Sequence, residues 1–133
     1  MYSNATNQDK VLFRELSYEV CGLCFKVHNT LGRFRNERQY GDALETLLKD
    51  GKISYQRELI LPSSFPGEKE IRNRVDFVTE DKIILDLKAK PVITKEDYYQ
   101  MQRYLVSHNK SLGIIVNFRL KYLAPKRVLR VDL

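Results

Sequence analysis

The chain has 133 residues, 43% apolar and 30% charged, a composition that fits one soluble globular domain (residues 1–133) and excludes a disordered or fibrous chain. Lysine and arginine outnumber aspartate and glutamate by 23 to 17, a net charge of +6, which suits either a polyanionic partner, nucleic acid first, or simple solubility. No apolar run approaches the roughly 18 residues of a membrane span, and the opening MYSNATNQDK has no apolar stretch behind a basic one, so the expectation is a cytoplasmic protein without a secretory signal.

Leu12, Leu16, Val20, Leu23, Cys24, Val27 and Leu31 recur with helical spacing, which predicts an amphipathic helix over residues 9–30, closed by Leu31-Gly32. Cys21 and Cys24 lie within it as a CxxC pair, with His28 as a third candidate ligand. A redox pair or half a zinc site has this spacing, but no second CxxC exists. The pair also falls in the helix's apolar pattern, and buried core thiols are the expectation. A second helix is predicted over residues 36–49, with Tyr40, Leu44, Leu47 and Leu48 as its apolar side and Asp50-Gly51 as its stop.

The period then changes to two. KISYQRELILP alternates Ile53, Tyr55, Arg57 and Leu59 against Ser54, Gln56, Glu58 and Ile60, and Pro62 closes that strand. SSFPGEKE reads as a turn. Strands follow at about residues 70–79 and 82–90, the second ended by Pro91. Thr94 is a candidate N-cap for a third helix, which carries Glu96 and Asp97 in its first turn and runs through Gln100 and Tyr104 to about His108. SLGIIVNF reads as a buried strand and KRVLRVDL as an edge strand. The order α-α-β-β-β-α-β-β predicts an α/β fold: a meander, a crossover helix and a mixed sheet covered by helices.

Aspartate is a poor strand residue, yet each arm of the hairpin VDFVTEDKIILDLKA carries one, Asp76 and Asp86. By alternation Asp86, Lys88 and Ile84 share one face, while Asp76 shares a face with Arg74 and Val78, opposite Val75 and Phe77. Folding the hairpin about residue 81 puts Asp76 beside or across from Asp86. Like charges so placed disfavour pairing by a few tenths to roughly 1 kcal/mol, more if desolvated, so something positive is needed. Lys88 supplies part; a bound cation would supply the rest. Two carboxylates and a lysine suit metal-assisted phosphodiester hydrolysis, because Mg²⁺ takes oxygen ligands and keeps several waters. A hairpin with a wet polar face would show the same alternation, and the hairpin by itself leaves both readings open.

Motifs along the whole chain add to the first reading. VHNTLG at the end of the first helix, ERQYGDAL with Glu37-x-x-Tyr40, DLKA, QMQRYL with Gln100, and LGIIVNF occur in that order. Together they resemble the small GxxExxY proteins of the PD-(D/E)XK nuclease superfamily, over about residues 16–118. Phe34 stands where that pattern has its glycine, and Asp86 where glutamate is commoner. The resemblance implies a restriction-endonuclease-like fold in which Asp76, Asp86 and the Leu87 carbonyl bind Mg²⁺, with Mn²⁺ as a substitute. It further implies that Lys88 positions the attacking water, that Glu37 approaches the metal or its waters, and that Gln100 braces the site. Read from its position, Glu37 is a first-turn acid at a helix N-terminus. Arg33, Arg35, Arg74, Lys126 and Arg127 are expected to hold phosphates. The implied function is a Mg²⁺-dependent nuclease hydrolysing phosphodiester bonds of DNA, with RNA as a secondary candidate partner and a homodimer mate or protein partner supplying specificity. The alternative is a non-catalytic nucleic-acid-binding or assembly module on the same fold.

Overall fold

The computed structural model describes residues 12–63, 65–69 and 74–131. Its elements are α1 (Arg14–Leu31), α2 (Glu37–Asp50), β1 (Tyr55–Ile60), β2 (Arg74–Thr79), β3 (Ile83–Lys88), α3 (Lys95–Ser107), β4 (Leu112–Asn117) and β5 (Lys126–Leu129). This is the predicted order. The expected beginnings of the first helix (residues 9–11) and the second strand (residues 70–73) lie outside the described residues, as do residues 132–133 of the last strand.

Local chemistry sets the helix ends. Gly32 closes α1 at φ 79°, its N–H donating to the His28 carbonyl, a left-handed backbone that favours glycine. Asn36 and Gln39 form a reciprocal capping box at the start of α2, and Thr94 and Asp97 form another at the start of α3. Capping thus fixes the first turns of the two helices that carry Glu37 and Gln100.

The strands form one sheet in the order β1-β2-β3-β4-β5. β1, β2 and β3 pair antiparallel, β3 and β4 pair in parallel across the α3 crossover, and β5 returns antiparallel at the far edge. β3 is therefore the central strand. One sheet face packs Phe77, Leu85, Leu87 and Ile114 beneath Val20, Cys24 and Val27 of α1 and Tyr40, Leu44 and Leu48 of α2. The other packs Val78, Ile84 and Ile115 beneath Met101, Tyr104 and Leu105 of α3. Cys24 is wholly buried in the first of these cores, its thiol pushed well above its ordinary pKa by burial, and Cys21 packs against the same core. The His28 ring nitrogen Nε2 lies 2.8 Å from the Leu120 carbonyl. The cysteine pair thus packs into the core, as expected.

Strand alternation holds through Phe77, Val78, Ile84 and Leu85 and fails at Asp76. Val75, expected opposite Val78, packs in the same core as Val78. Glu58 falls opposite Asp76 in the register set by Arg57↔Phe77 and Leu59↔Val75, and it adopts a left-handed backbone at φ 53°. That conformation is uncommon for a non-glycine residue and turns β1 locally. The Asp76 carboxylate in turn takes the Leu87 N–H at 2.7 Å, so a side chain accepts a donor on the neighbouring strand. The distortion frees Asp76 from the regular pleat.

Helix α3 sits close to the sheet because Gly113 of β4 leaves room for Met101; a Cβ there would overlap the Met101 side chain. We expect Gly113→Ala to destabilise the protein by about 1–3 kcal/mol in urea unfolding, the usual cost of overpacking; an unchanged midpoint would show that α3 is free to move outward.

Candidate active site

The chemistry gathers where β3 ends and the N-termini of α2 and α3 meet. The register Phe77↔Leu85, Val78↔Ile84 and Thr79↔Ile83 centres the hairpin on residue 81, as expected, and Asp76 and Asp86 follow directly beyond its last pair. The two carboxyl groups lie close enough to share a hydrogen bond. Asp86 is 5% exposed. Its Oδ2 is buried and pairs with the Lys88 ammonium at 3.2 Å. Burial pushes the Asp86 carboxyl up to about 7; Lys88 opposes that shift and Asp76 adds to it. Tyr104 of α3, buried beside the acids, is itself pushed up to about 12 by burial and then by Asp86 and Asp76.

Lys88 is held from several sides. Its ammonium donates to Gln100 Oε1 at 3.0 Å and lies 3.7 Å from Asp97 Oδ1. Partial burial works against its charge, but Asp86, with Asp97 and Glu37 behind it, outweighs this and raises its pKa. Lys88 therefore keeps its proton at neutral pH and serves as a donor and a charge. Asp97 performs three tasks at once: it caps α3 through Thr94, pairs with Lys90 at 2.7 Å, and faces Lys88. Burial works to raise its pKa, and the Lys90 and Thr94 hydrogen bonds overcome this and lower it. Asn117 of β4 fixes the segment after β3, accepting from the Lys90 N–H at 3.2 Å and donating to the Lys90 carbonyl at 2.8 Å.

Glu37 arrives from the other side. Helix α2 packs on the α1 face of the sheet, opposite Asp86, rather than on the polar face, and Glu37 reaches around the end of β3 from the first turn. It accepts the Ala89 N–H; burial and Asp76 raise its pKa, while Lys88 and that hydrogen bond oppose the shift. A cavity of about 230 Å³ opens there, lined by Glu37, Asp76, Leu87, Arg57 and Glu58.

Of the residues expected from sequence, Asp76, Asp86, Leu87, Lys88, Glu37 and Gln100 converge on this end of the sheet. Arg33 and Arg35 lie in the loop beside Glu37, and Arg74 is exposed at the start of β2, two residues from Asp76. Lys126 and Arg127 are not brought to it. They lie on β5, separated from β3 by β4, and Arg127 donates to the Leu12 carbonyl at 3.0 Å. Asp97, Lys90 and Asn117 were not singled out for the site by sequence. Only Asp97's first-turn position hinted at its capping role, and the rest depends on how the β3–α3 connection folds back.

Among the described residues no three His, Cys, Asp or Glu side chains gather closely enough to hold a metal ion by themselves. The centre offers two neighbouring carboxyl groups, one of them paired with the Lys88 ammonium, plus main-chain carbonyl oxygen at Leu87. All are hard oxygen donors, the set with which Mg²⁺ or Mn²⁺ makes up its shell from water and substrate. The residues fit such an ion.

A family model for the PD-(D/E)XK nuclease superfamily matches residues 14–131. The chain belongs to that superfamily. No match is found among curated proteins. Among solved structures, the crystal structure of SSO0001 aligns with a TM-score of 0.53 at 21% identity, covering 69% of this chain and 49% of that one, which shows likeness of fold. The chain thus spans about half the length of that protein. Divalent metals and nucleic acid are the usual cofactors and partners of the superfamily. Among the described residues no helix is long and apolar enough to cross a membrane.

Asp86→Asn removes the buried member of two neighbouring carboxyl groups. In EDTA it should stabilise the protein by about 1–2 kcal/mol. The rise in melting temperature that Mg²⁺ or Mn²⁺ gives the wild type should be lost in the variant. A less stable variant, or an unchanged response to metal, would show that Asp86 is satisfied by its protein neighbours.

Proposed function

We propose that this chain is a divalent-metal-dependent nuclease that hydrolyses phosphodiester bonds of DNA, of the GxxExxY kind within its superfamily. The observation that carries this reading is the buried Asp86 carboxyl set close to Asp76, beside a protonated Lys88 that is shared with Gln100 and Asp97. An ion-paired surface hairpin would leave its carboxylates in water. Asp76, Asp86 and the Leu87 carbonyl would hold Mg²⁺ or Mn²⁺, which supplies neutralising charge and a more acidic water at the scissile phosphate.

The protein's own groups have distinct tasks. Lys88, kept protonated by its acidic neighbours, donates hydrogen bonds to the attacking water and to the charge that builds on the phosphoryl oxygens. Gln100 and Asp97 hold that ammonium in place, so little reorganisation is needed as charge develops. Glu37, at the cavity mouth, accepts a hydrogen bond from incoming water and orients it. Water attacks phosphorus, the bond to the leaving oxygen breaks, the attacking water's proton passes to solvent, and the leaving oxygen takes a proton from a solvent water. Arg33, Arg35 and Arg74 hold flanking phosphates, contacts that fix position rather than sequence and weaken with salt.

The test is incubation with single-stranded, duplex and nicked DNA in Mg²⁺, Mn²⁺ or EDTA. Metal-dependent cleavage is expected, abolished in Asp86→Ala and reduced about 10²–10³-fold in Lys88→Ala, the usual cost of one charge-stabilising donor. Cleavage that persists in EDTA or in Asp86→Ala would overturn the assignment.

A further inference from the structure

Beside Glu37 the loop between α1 and α2 presents an unusual surface. Phe34 is 78% exposed, in a segment where its neighbours Arg33 and Arg35 are cationic. The Arg33 guanidinium lies over the Phe34 ring at 5.0 Å from its centroid and that of Arg119 at 6.0 Å. At that exposure the ring keeps an open face to solvent.

The loop is held as a platform. The Tyr40 hydroxyl donates to the Gly32 carbonyl at 2.7 Å and accepts the Arg35 N–H at 3.1 Å, tying the residues on either side of Arg33 and Phe34 to one buried ring. Tyr40 is itself stacked on Phe118, with ring centroids 4.2 Å apart. Arg33 Nε donates to the Arg119 carbonyl at 2.7 Å, and Arg119 Nε donates back to the Arg33 carbonyl at 3.2 Å. Arg119 also donates to the Ala89 carbonyl at 3.2 Å, joining this loop to the segment that follows Lys88. Phe34, Arg35, Arg38 and Arg119 line an open groove that leads to Glu37 and Ala89.

We infer that Phe34 is a stacking platform for an unpaired nucleobase and directs the site toward single-stranded or frayed DNA over fully paired duplex. The inference rests on the nuclease reading and adds its substrate class. A solvated aromatic among arginines gives a base a π-face to stack on and gives the adjoining phosphates cations. In a duplex the bases already stack on one another, and a rigid side-chain platform beside the reacting centre gains nothing from them.

The experiment measures binding of the full chain in EDTA, where no cleavage is expected, to a single strand, a blunt duplex of the same sequence and a tailed duplex. Each strand carries an adenine analogue whose emission is quenched by stacking. The wild type should bind the single strand and the tail more tightly than the blunt duplex, with quenching of the analogue. Phe34→Ala should weaken binding to the unpaired strands about 5- to 100-fold and abolish the quenching, and Phe34→Trp should restore both. Blunt-duplex binding should change less than about twofold. Equal binding of single strand by the wild type and Phe34→Ala, or quenching that survives the substitution, would overturn the inference and leave metal-dependent cleavage standing. Phe34-dependent binding and quenching without cleavage in any metal would support the platform and overturn the nuclease reading.

Discussion

Asp76 and Asp86 lie close together on the middle strands of a sheet covered on both sides, and like charges placed there work against the fold unless positive charge is brought to them. Much of the local architecture answers that requirement. Lys88 enters from the same strand and is too committed to satisfy it alone, since Asp97 and Gln100 share the ammonium. Asn117 clamps the end of the strand, two capping boxes fix the helices that approach it, and Gly113 lets α3 come close. The result is a rigid frame around an under-neutralised pair of acids. On the proposed function, a cation and a phosphate would complete the charge balance there.

The sheet separates support from access. Its α3 face holds the buried Asp86 near Tyr104 and delivers Gln100 and Asp97 to the lysine. Its α1–α2 face opens the cavity beside Asp76 and Leu87, with Glu37 and the Phe34 loop at its rim. Tyr40 serves both sides of that division, as a core ring against Phe118 and as the hydroxyl that fixes the loop. A sequence spacing of three between Glu37 and Tyr40 is one helical turn, so the acid that faces the cavity and the ring that holds the loop move as a unit.

Much of this was legible in the chain because it depends on local periodicity. The hairpin's fold point at residue 81, the Thr94 cap, the Gly32 stop and the burial of β4 all follow from strand alternation, capping chemistry and apolar runs. The face from which Glu37 arrives did not follow, because the pattern of α2 shows which side is apolar and is silent on which face of the sheet it covers. The left-handed turn at Glu58 and the shift of Val75 escaped for a related reason: a side chain that takes a neighbouring strand's N–H breaks the alternation on which the prediction relies. Lys90 and Asp97 are common residues at ordinary positions, and only the return of the chain after β3 makes them part of one charge network. Lys126 and Arg127 show the converse, since a basic run in sequence is placed by topology and not by its charge.

The most direct measurement is anomalous diffraction at the manganese edge from crystals equilibrated with Mn²⁺. A peak is expected between the Asp76 and Asp86 carboxylates, within coordination distance of the Leu87 carbonyl and absent from Asp86→Asn crystals. No peak at that position, or a peak only elsewhere, such as at Cys21 and His28, would contradict it.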